Sequence, residues 1–348
     1  MDKKLEDVKY GISKYNNTGI TCYINSILAI LQQTPIFADY ILNASYKDKI
    51  KSTDSILFQL YNILNLSHTY DNYNINPDTF RKIVSLKNEM WGYNQQQDSQ
   101  EFLSFLINSI EEEISEKVQF VPGRINNTNS TSININNSMN NSMNCNLISL
   151  MANNSWQNFI KKEFSIIKKL FYGMNHITIT CNNCNNKSHN FDYFHILQLS
   201  CYDTLYECLD KFTKEEIVDE DNMIKCDFCG KYNKSIKQTK IWTLPKILII
   251  QFKRFQNSRT KISKMIDYPM TLNMSKYINN ININNNYTLY AVNNHHNHGN
   301  SINRGHYTST VINRFDNKWY IFNDTNDLEE TDDIINKNAY NLFYIRND

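Results

Sequence analysis

Apolar residues in the first third of the chain recur every three and four residues, which is the spacing of an amphipathic helix. The segment 22–33 shows this pattern, and Pro35 closes it. A second helix is predicted over 98–114, where Asp98 can cap the N-terminus and a glutamate follows three residues later, as in a capping box. A third helix is predicted over about 54–66. We therefore expect the first third of the chain to be mainly helical.

The pattern changes in the second half of the chain to short apolar or alternating runs, which indicate β-strands. Residues 177–180 alternate, and residues 247–252 form an apolar run typical of a central strand. Residues 307–312 and 319–322 are joined by a short polar turn and predict a hairpin, and 342–345 predict a last strand. Helices first and strands later predict an α+β domain rather than an alternating βαβ fold.

Asn-rich segments interrupt both the helical and the strand pattern. The chain contains 54 Asn against 8 Gly and 5 Pro, and 10 of the 21 residues from 126 to 146 are Asn. We expect 121–156 to be a low-complexity surface insertion without packed structure, because it has no periodic apolar face. Residues 279–286 are expected to be a shorter loop of the same kind. This composition is typical of A+T-rich coding sequence, so most of the asparagines carry no functional information.

The length of 348 residues is ample for a sizeable core, and the formal net charge is +1. A charge this small argues against a nucleic-acid or membrane-surface partner. The acidic run 111–113 is interpreted as an exposed helix face. The charged segment 1–7 is not followed by the apolar run of a signal peptide, and no apolar stretch approaches the roughly 18 residues of a membrane span. We expect a monomeric protein of the cytoplasm, the nucleus or both.

Two Cys-x-x-Cys pairs, 41 residues apart, predict a metal site. One such pair could equally be a redox motif. Two pairs in a chain of only 8 cysteines favour a closed tetrahedral Zn²⁺ site with a structural role, because four protein sulfurs leave no position for water. The predicted ligands are Cys181, Cys184, Cys226 and Cys229.

A candidate nucleophile lies at the start of the first predicted helix. The N–H groups and dipole of a helix N-terminus are expected to lower the pKa of the Cys22 thiol. His306 precedes a predicted strand and could act as its base, while Asn323 and Asp324 follow the partner strand and could reach His306 across the hairpin. A cysteine at a helix start is also commonly a small buried residue, and spacing alone leaves both interpretations open.

Five sequence boxes, in order, resemble those of the ubiquitin-specific proteases, a family of papain-like cysteine proteases. The resemblance extends from about residue 10 to residue 346, apart from the Asn-rich segments. The boxes are residues 17–26 (NTGITCYINS), residues 96–103 (QQDSQEFL), the two cysteine pairs, residues 244–255 (LPKILIIQFKRF), and the segment from 290 through 305–307 (GHY) to 319–324 (WYIFND).

The resemblance implies an α+β, papain-like right-hand architecture formed by a single catalytic domain over residues 1–348. Its parts would be a helical thumb, the Asn-rich insertion, zinc-ribbon fingers carrying the four cysteines, and a β-rich palm. The corresponding intervals are 10–120 for the thumb, 121–156 for the insertion, 174–243 for the fingers, and 157–173 with 244–348 for the palm.

The resemblance also implies roles for individual residues in hydrolysis of the isopeptide bond after the C-terminal Gly-Gly of ubiquitin. Cys22 would be the nucleophile, and His306 the general base and later the acid. Asn323 would orient His306, with Asp324 supporting it. Asn17 would donate its side-chain amide to the oxyanion.

Asp98 and Tyr307 match positions that line the channel for the tail of ubiquitin. Three departures from the family pattern stand out. Ile20 replaces the usual asparagine before Thr-Cys, so Asn17 carries more of the oxyanion role. Arg304 stands where glycine or serine is usual. The segment 295–306 is longer than usual and rich in histidine; we interpret it as a solvated loop rather than a metal site.

The expected partners are therefore ubiquitin and ubiquitinated proteins. Two other functions remain open on sequence alone. One is a catalytically weak or inactive ubiquitin-binding scaffold, which the presence of Cys22, His306 and Asn323 disfavours. The other is a protease that acts on a ubiquitin-like modifier.

Overall fold

The computed structural model of the protein describes most of the chain. The described residues are 11–43, 52–70, 72–115, 141–162, 164–218, 222–257, 260–278, 284–297 and 305–347. Predictions for residues 121–140, 279–283 and Arg304 therefore lie outside them.

The described helices lie mainly in the first half of the chain, as the apolar spacing predicts. The predicted segments 22–33, 98–114 and 54–66 correspond to α1 (Cys22–Leu31), α5 (Ser99–Ile114) and α3 (Ile56–Thr69). None of the helices in the described ranges has the length and apolar character needed to cross a bilayer. The other helices are α2 (Phe37–Leu42), α4 (Asp78–Lys87), α6 (Asn141–Lys162), α7 (Ile166–Phe171) and α8 (Leu205–Thr213).

The start of α5 confirms the predicted cap. Oδ1 of Asp98 accepts hydrogen bonds from the backbone N–H groups of Gln100 at 2.7 Å and Glu101 at 3.4 Å. These are two of the N–H groups that have no partner within a helix. The cap fixes the position at which the chain enters α5.

The acidic run at the end of α5 is not an exposed face, contrary to expectation. Glu111 is buried and lies 3.2 Å from the ammonium of Lys168. The carboxylate of Glu113 accepts hydrogen bonds from the N–H groups of Ile56 at 3.0 Å and Leu57 at 2.9 Å. Glu113 thus caps α3 from another helix, because the first N–H groups of α3 need acceptors.

Most of the predicted strands belong to one eight-stranded sheet. Its strands are β5 (Leu197–Leu199), β10 (Ile247–Phe252), β13 (Thr271–Asn273), β14 (Asn286–Asn297), β15 (Gly305–Ile312), β16 (Trp319–Phe322), β17 (Glu329–Glu330) and β18 (Ala339–Arg346). Their order is β17-β16-β15-β14-β18-β10-β5, with β13 paired to β14. Only the β10–β5 pair is parallel among the described pairs of this sheet. The predicted hairpin is β15–β16, and the apolar run 247–252 is the interior strand β10.

A smaller sheet and a separate two-stranded hairpin carry the cysteine pairs. The sheet contains β3 (Gly173–Cys181), β4 (Lys187–Phe194), β6 (Glu216–Val218) and β9 (Ser235–Thr243), in the order β4-β3-β9-β6. The first pair begins at the last residue of β3, and the second lies between β7 (Ile224–Lys225) and β8 (Tyr232–Asn233). The predicted fingers interval 174–243 also contains β5 and α8, which pack with the larger sheet.

Two further strand pairs connect distant parts of the chain or close a turn. β1 (Lys14–Tyr15) pairs in parallel with β2 (Asn74–Ile75), and β11 (Phe255–Asn257) pairs with β12 (Thr260–Lys261). The β1–β2 pair ties the segment before α1 to the segment before α4.

Helix α6 corrects the prediction for the second half of the Asn-rich insertion. The sequence predicts no packed structure for 121–156, whereas residues 141–156 belong to α6. Ala152 is fully buried, and the ring of Phe159 stacks on Tyr193 of β4 with centroids 4.0 Å apart. The aromatic residues at the end of the helix anchor it, although its asparagines give no helical periodicity.

The eight-stranded sheet lies between two apolar cores. Ile247 and Ile249 of β10 pack with the helices α1, α3, α5 and α7, whereas Leu248 and Ile250 pack with α8. This alternation is the period of two expected for a strand buried on both faces. All ten residues of α1 are buried, so the helix is enclosed by other helices and the sheet.

Candidate active site

Cys22 is the first residue of α1 and is only 2% exposed. The turn before it is held by Asn17, whose Oδ1 accepts hydrogen bonds from N–H of Thr21 at 3.0 Å and from the Thr21 hydroxyl at 3.1 Å. The sulfur is therefore placed by a rigid turn and by the enclosed helix that follows.

The environment of Cys22 raises the pKa of its thiol to about 11, mainly through burial. The backbone N–H groups of Tyr307, Tyr23 and Cys22 itself act in the opposite direction, and the charge of Asp324 adds to the increase. The prediction of a lowered pKa is thus wrong for the unliganded protein. The helix N-terminus does favour the thiolate, but desolvation outweighs it.

The hairpin β15–β16 brings His306 and Asn323 together, as predicted. Nε2 of His306 lies 2.6 Å from Oδ1 of Asn323. An amide oxygen can only accept a hydrogen bond, so Nε2 carries the proton and Nδ1 is the basic nitrogen. Asn323 therefore selects the tautomer in which His306 can accept a proton.

Asp324 contacts the amides of two asparagines more closely than it contacts His306. Its Oδ2 accepts from Nδ2 of Asn17 at 2.7 Å, and its Oδ1 accepts from Nδ2 of Asn25 at 2.7 Å. Oδ2 lies 3.9 Å from Nε2 of His306. Asn25 has no role in the sequence prediction. A signal was available in the sequence, because Asn25 is a polar residue among the apolar positions Ile24 and Ile27 of the predicted helix.

Two non-glycine residues of the site have positive φ. Asp324 has φ 50°, and N–H of Tyr15 donates to its backbone oxygen at 3.1 Å. Ile20 has φ 51° and is exposed. Aspartate and asparagine tolerate this left-handed region, whereas a β-branched residue is strained in it. Replacement of the usual asparagine by isoleucine at position 20 therefore has a conformational cost.

Asp98 and Tyr307 lie next to this group but are 8% and 1% exposed. The carboxylate of Asp98 accepts from the hydroxyl of Tyr340 at 2.5 Å in addition to capping α5. Burial raises the pKa of Asp98. Contact of Asp98 or Tyr307 with a substrate tail remains a prediction.

The first two histidines of the segment 295–306 do not lie in a solvated loop, contrary to expectation, and His298 lies outside the described residues. His295 and His296 belong to β14, and His295 is fully buried. The ammonium of Lys261 lies 2.9 Å from Nδ1 of His295 and donates to its backbone oxygen at 2.7 Å. Burial, reinforced by the charge of Lys261, lowers the pKa of His295 to about 3, so the ring is neutral.

Gln96 has no role in the sequence prediction, yet it contacts the residue before His306. Oε1 of Gln96 accepts from N–H of Gly305 at 2.8 Å, and Nε2 of Gln96 donates to the backbone oxygen of Gly305. Position 305 requires glycine, because a Cβ there would collide with the ring of His295.

The four predicted cysteines come together at the tip of the smaller sheet. Their sulfurs all lie within 4.8 Å of one another, with Cys181–Cys229 at 4.0 Å and Cys184–Cys226 at 3.7 Å. Each pair is followed by a left-handed residue, Asn185 with φ 56° and Gly230 with φ 69°. The two turns are equivalent, and the cluster can hold a metal ion.

Hydrogen-bond donors surround these sulfurs. Backbone and side-chain N–H groups of Asn186 lower the pKa of Cys184 to about 6. Nδ2 of Asn233 lies 3.8 Å from the sulfur of Cys229 and 3.9 Å from that of Cys181. Such donors stabilise thiolates, which are the form that binds metal.

Comparison with known proteins assigns these features to one family. The family described as "Ubiquitin carboxyl-terminal hydrolase" matches residues 13–344. A relative from Drosophila melanogaster, "Ubiquitin carboxyl-terminal hydrolase Usp2", is 29% identical over 347 residues, covering 97% of this chain and 35% of its own length. The human "Ubiquitin carboxyl-terminal hydrolase 2" is 29% identical over 351 residues, covering 96% of this chain and 55% of its own length.

A solved structure is similar over the whole chain. It is the SAGA Ubp8/Sgf11/Sus1/Sgf73 DUB module bound to ubiquitin aldehyde, with a TM-score of 0.75 and 25% identity, covering 100% of this chain and 72% of that one. The curated relatives are longer, since this chain spans only 35% of the first and 55% of the second.

Proposed function

The chain belongs to the ubiquitin carboxyl-terminal hydrolase family, and on this basis we propose that it is a thiol-dependent deubiquitinase. Its reaction would be hydrolysis of the isopeptide bond after the C-terminal Gly-Gly of ubiquitin. The observation that carries the proposal is the hairpin geometry, in which Asn323 fixes the tautomer of His306 at 2.6 Å. The similarity to a solved module bound to ubiquitin aldehyde supports ubiquitin as the partner.

The chemistry begins with a protonated thiol, because burial raises the pKa of Cys22 to about 11. Nδ1 of His306 takes the thiol proton as the sulfur attacks the carbonyl carbon of the isopeptide. The resulting imidazolium protonates the leaving lysine amine, and the C–N bond breaks to leave a thioester on Cys22. Water, deprotonated by His306, then attacks the thioester, releasing the ubiquitin carboxylate and restoring the thiol.

Asn17 is the proposed donor to the oxyanion. A side-chain amide has two N–H donors, and Asn17 uses one of them on Asp324 at 2.7 Å. Its other N–H is the proposed donor to the oxygen that becomes negative in the tetrahedral intermediate. Asp324 thus positions Asn17 more directly than it supports His306.

Asn17→Ala should lower kcat by about 10²–10³-fold with a small effect on KM, because the oxyanion exists only after attack. Steady-state cleavage of ubiquitin–fluorophore measures this. Asn16→Ala, a neighbouring asparagine whose backbone oxygen accepts from Asn25, is the matched control. Comparable losses in both variants would exclude an oxyanion role.

We also propose that Cys181, Cys184, Cys226 and Cys229 bind one structural Zn²⁺ per chain. A tetrahedral ion with Zn–S bonds of about 2.3 Å places its sulfurs about 3.8 Å apart. The 3.7 Å and 4.0 Å separations lie close to this spacing. Metal analysis of purified protein should give about one zinc per chain, and a folded protein purified without metal would contradict this.

The proposed activity is tested by cleavage of ubiquitin–fluorophore and by labelling with an electrophilic ubiquitin probe. Cys22→Ala should abolish both, and Cys201→Ala, which removes a half-buried thiol, should retain both. Binding of ubiquitin without turnover would indicate the scaffold function instead. Preferential cleavage of a ubiquitin-like modifier in competition would change the substrate but keep the chemistry.

A monomeric state is a separate proposal. The similar solved protein is in a module with Sgf11, Sus1 and Sgf73, so assembly with other proteins is the alternative. Light scattering during size-exclusion chromatography of the purified chain gives the mass directly. A mass above 41.1 kDa per particle would contradict the monomer.

A further inference from the structure

One edge of β15 lacks a strand partner beside the catalytic histidine. On one side β15 pairs with β14 from Val311 back to Gly305. On the other side pairing with β16 begins only at Ser309, which lies opposite Phe322. Within the described residues, the segment 305–308 therefore has no strand on the β16 side. The backbone groups that point to this side need other partners.

The direction of these groups follows from the hydrogen bonds of β14. N–H of His295 donates to the oxygen of Asn338 at 2.9 Å, away from β15. His295 lies opposite Tyr307, so this is a pair that exchanges no hydrogen bonds. N–H and C=O of Tyr307 consequently point to the open side. Those of Gly305, two residues earlier, point the same way, because backbone directions alternate along a strand.

Two different groups occupy the open side. N–H of Tyr307 faces Cys22 and acts to lower the pKa of its thiol. At Gly305 the side-chain amide of Gln96 bonds both backbone groups, accepting from N–H at 2.8 Å and donating to C=O. An amide has the same donor and acceptor as a peptide unit, so Gln96 replaces one residue of the missing strand.

The segment that carries Gln96 is joined to the larger sheet through the start of α5. Two residues later Asp98 begins the cap of α5 and binds the hydroxyl of Tyr340 in β18 at 2.5 Å. The hydroxyl of Ser99 donates to Oδ1 of Asn293 in β14 at 2.7 Å. The first turn of α5 is thus joined to the sheet at two points, and Gln96 extends this connection to Gly305.

We propose that Gln96 is a positioning residue. It holds the start of β15 in the position that places Tyr307 N–H and His306 next to Cys22. The inference rests on the proposed function, since it gives Gln96 a part in that site. His306 lies between Gly305 and Tyr307, so movement of Gly305 would carry both the base and the N–H donor away from the sulfur. A displacement of about 1 Å can cost about 10²-fold in rate.

Gln96→Ala tests the proposal. We expect kcat for ubiquitin–fluorophore to fall by about 10–100-fold and KM to change by less than about threefold, because the residue acts through geometry rather than through substrate contact. In Gln96→Glu, kcat should fall by a similar factor, since a carboxylate can accept from Gly305 N–H but cannot donate to its C=O. Gln97→Ala, the adjacent glutamine, should remain within about twofold of the parent protein.

A second measurement needs no ubiquitin. The rate at which iodoacetamide alkylates Cys22 is followed against pH in the parent protein and in both Gln96 variants, by mass spectrometry of the peptide containing Cys22. Loosening the Tyr307 N–H contact should move the alkylation profile to higher pH, because that N–H favours the thiolate. A residue with a purely structural role would lower the thermal midpoint and leave the profile in place.

Three results would overturn the proposal. They are an unchanged alkylation profile, a raised KM with unchanged kcat, and equal losses in the Gln97→Ala control. Failure of the proposed function has a different signature, because the parent protein would then not cleave ubiquitin conjugates. In that case the alkylation profiles alone still determine whether Gln96 positions the strand.

Discussion

Asp324 contributes to the site through both its charge and its hydrogen bonds. Its carboxylate holds the amides of Asn17 and Asn25 at 2.7 Å each, and its charge raises the pKa of Cys22. A group that discourages thiolate formation in the free protein also stabilises the imidazolium that forms when the proton moves to His306. The negative charge therefore favours transfer of the proton over its early loss to solvent.

Asp324→Asn should separate these effects. Removing the negative charge lowers the thiol pKa, so alkylation of Cys22 by iodoacetamide should begin at lower pH, while ubiquitin cleavage should fall. Both are measured on the same preparation across pH 6–10 or so. Asp327→Asn is the control, because Asp327 is an exposed partner of Lys14. An alkylation profile that stays in place would show that the charge does not act on the sulfur.

Ile20 is a second residue whose local conformation matters. It has φ 51° and is 39% exposed, so its side chain gains little from burial. Ile20→Asn should raise the free energy of unfolding by about 1 kcal/mol, because asparagine tolerates the left-handed region and isoleucine does not. Urea unfolding measures the change. Ile20→Val keeps the β-branch and should give no gain; equal stability of the two variants would refute the strain argument.

The C-terminal part of α5 holds the start of α3 in place. The carboxylate of Glu113 in α5 accepts from the hydroxyl of Ser55 at 2.7 Å and from the two N–H groups at the start of α3, and it lies 3.1 Å from the ammonium of Lys87. Burial alone would raise the pKa of Glu113, but these donors together lower it. The charged form is thus the one that stabilises the fold.

Glu113→Gln should lower the free energy of unfolding by about 1–3 kcal/mol at neutral pH. A folded-state pKa below the unfolded value means that the contribution is fully present above about pH 4.3 and is lost as pH falls through the folded value. The difference between the parent protein and the variant should therefore shrink below about pH 4. Glu112→Gln changes an exposed neighbour and should be neutral. A difference that stays constant with pH would contradict the charged cap.

The elements that the sequence predicts well are those whose signal is local. Helices α1 and α5 have apolar residues at helical spacing, and the β15–β16 hairpin has two apolar runs around a short polar turn. Helix α6 was missed because its stability comes from Phe159 and Trp156 packing on Tyr193, a contact that asparagine spacing cannot reveal. Tertiary contacts decide such segments, since local propensity is a weak determinant.

The candidate site likewise has features that the local sequence predicts and features that depend on tertiary contacts. Cys22, His306 and Asn323 could be named from their boxes, and the cysteine cluster from its spacing. The raised pKa of Cys22 could not be predicted, because it depends on burial between α1 and the sheet rather than on the helix terminus. The role of Glu113 and the contact of Gln96 with Gly305 join residues that lie 57 and 209 positions apart, so no local pattern encodes them.

At the scale of the whole molecule, the cysteine cluster lies far along the chain from the apolar core around Cys22. It joins the end of β3 to the turn between β7 and β8, while α1 packs in the core on the helical face of the larger sheet. The two regions should therefore respond differently to loss of metal.

Removal of metal with a chelator should increase hydrogen exchange at the end of β3 and in β7 and β8 and leave exchange in α1 nearly unchanged, because the ion joins only those segments. Exchange measured by mass spectrometry resolves the two regions. Cys184→Ser should show the loosened pattern before chelation, and the chelator should then add little. Equal loss of protection in α1 would mean that the metal supports the whole fold.

The complete burial of α1 has a consequence for how the chain folds during its synthesis. All ten residues of this helix are buried, partly against β15, where Ser309 lies 283 positions after Ser26 of the helix. During synthesis the apolar surface of α1 stays uncovered on that side until β15 has left the ribosome. Contacts of such long sequence separation form slowly, and exposed apolar surface promotes aggregation. Nascent chains that end before residue 305 should therefore need chaperones, and the site around Cys22 should form only after β15 has been made.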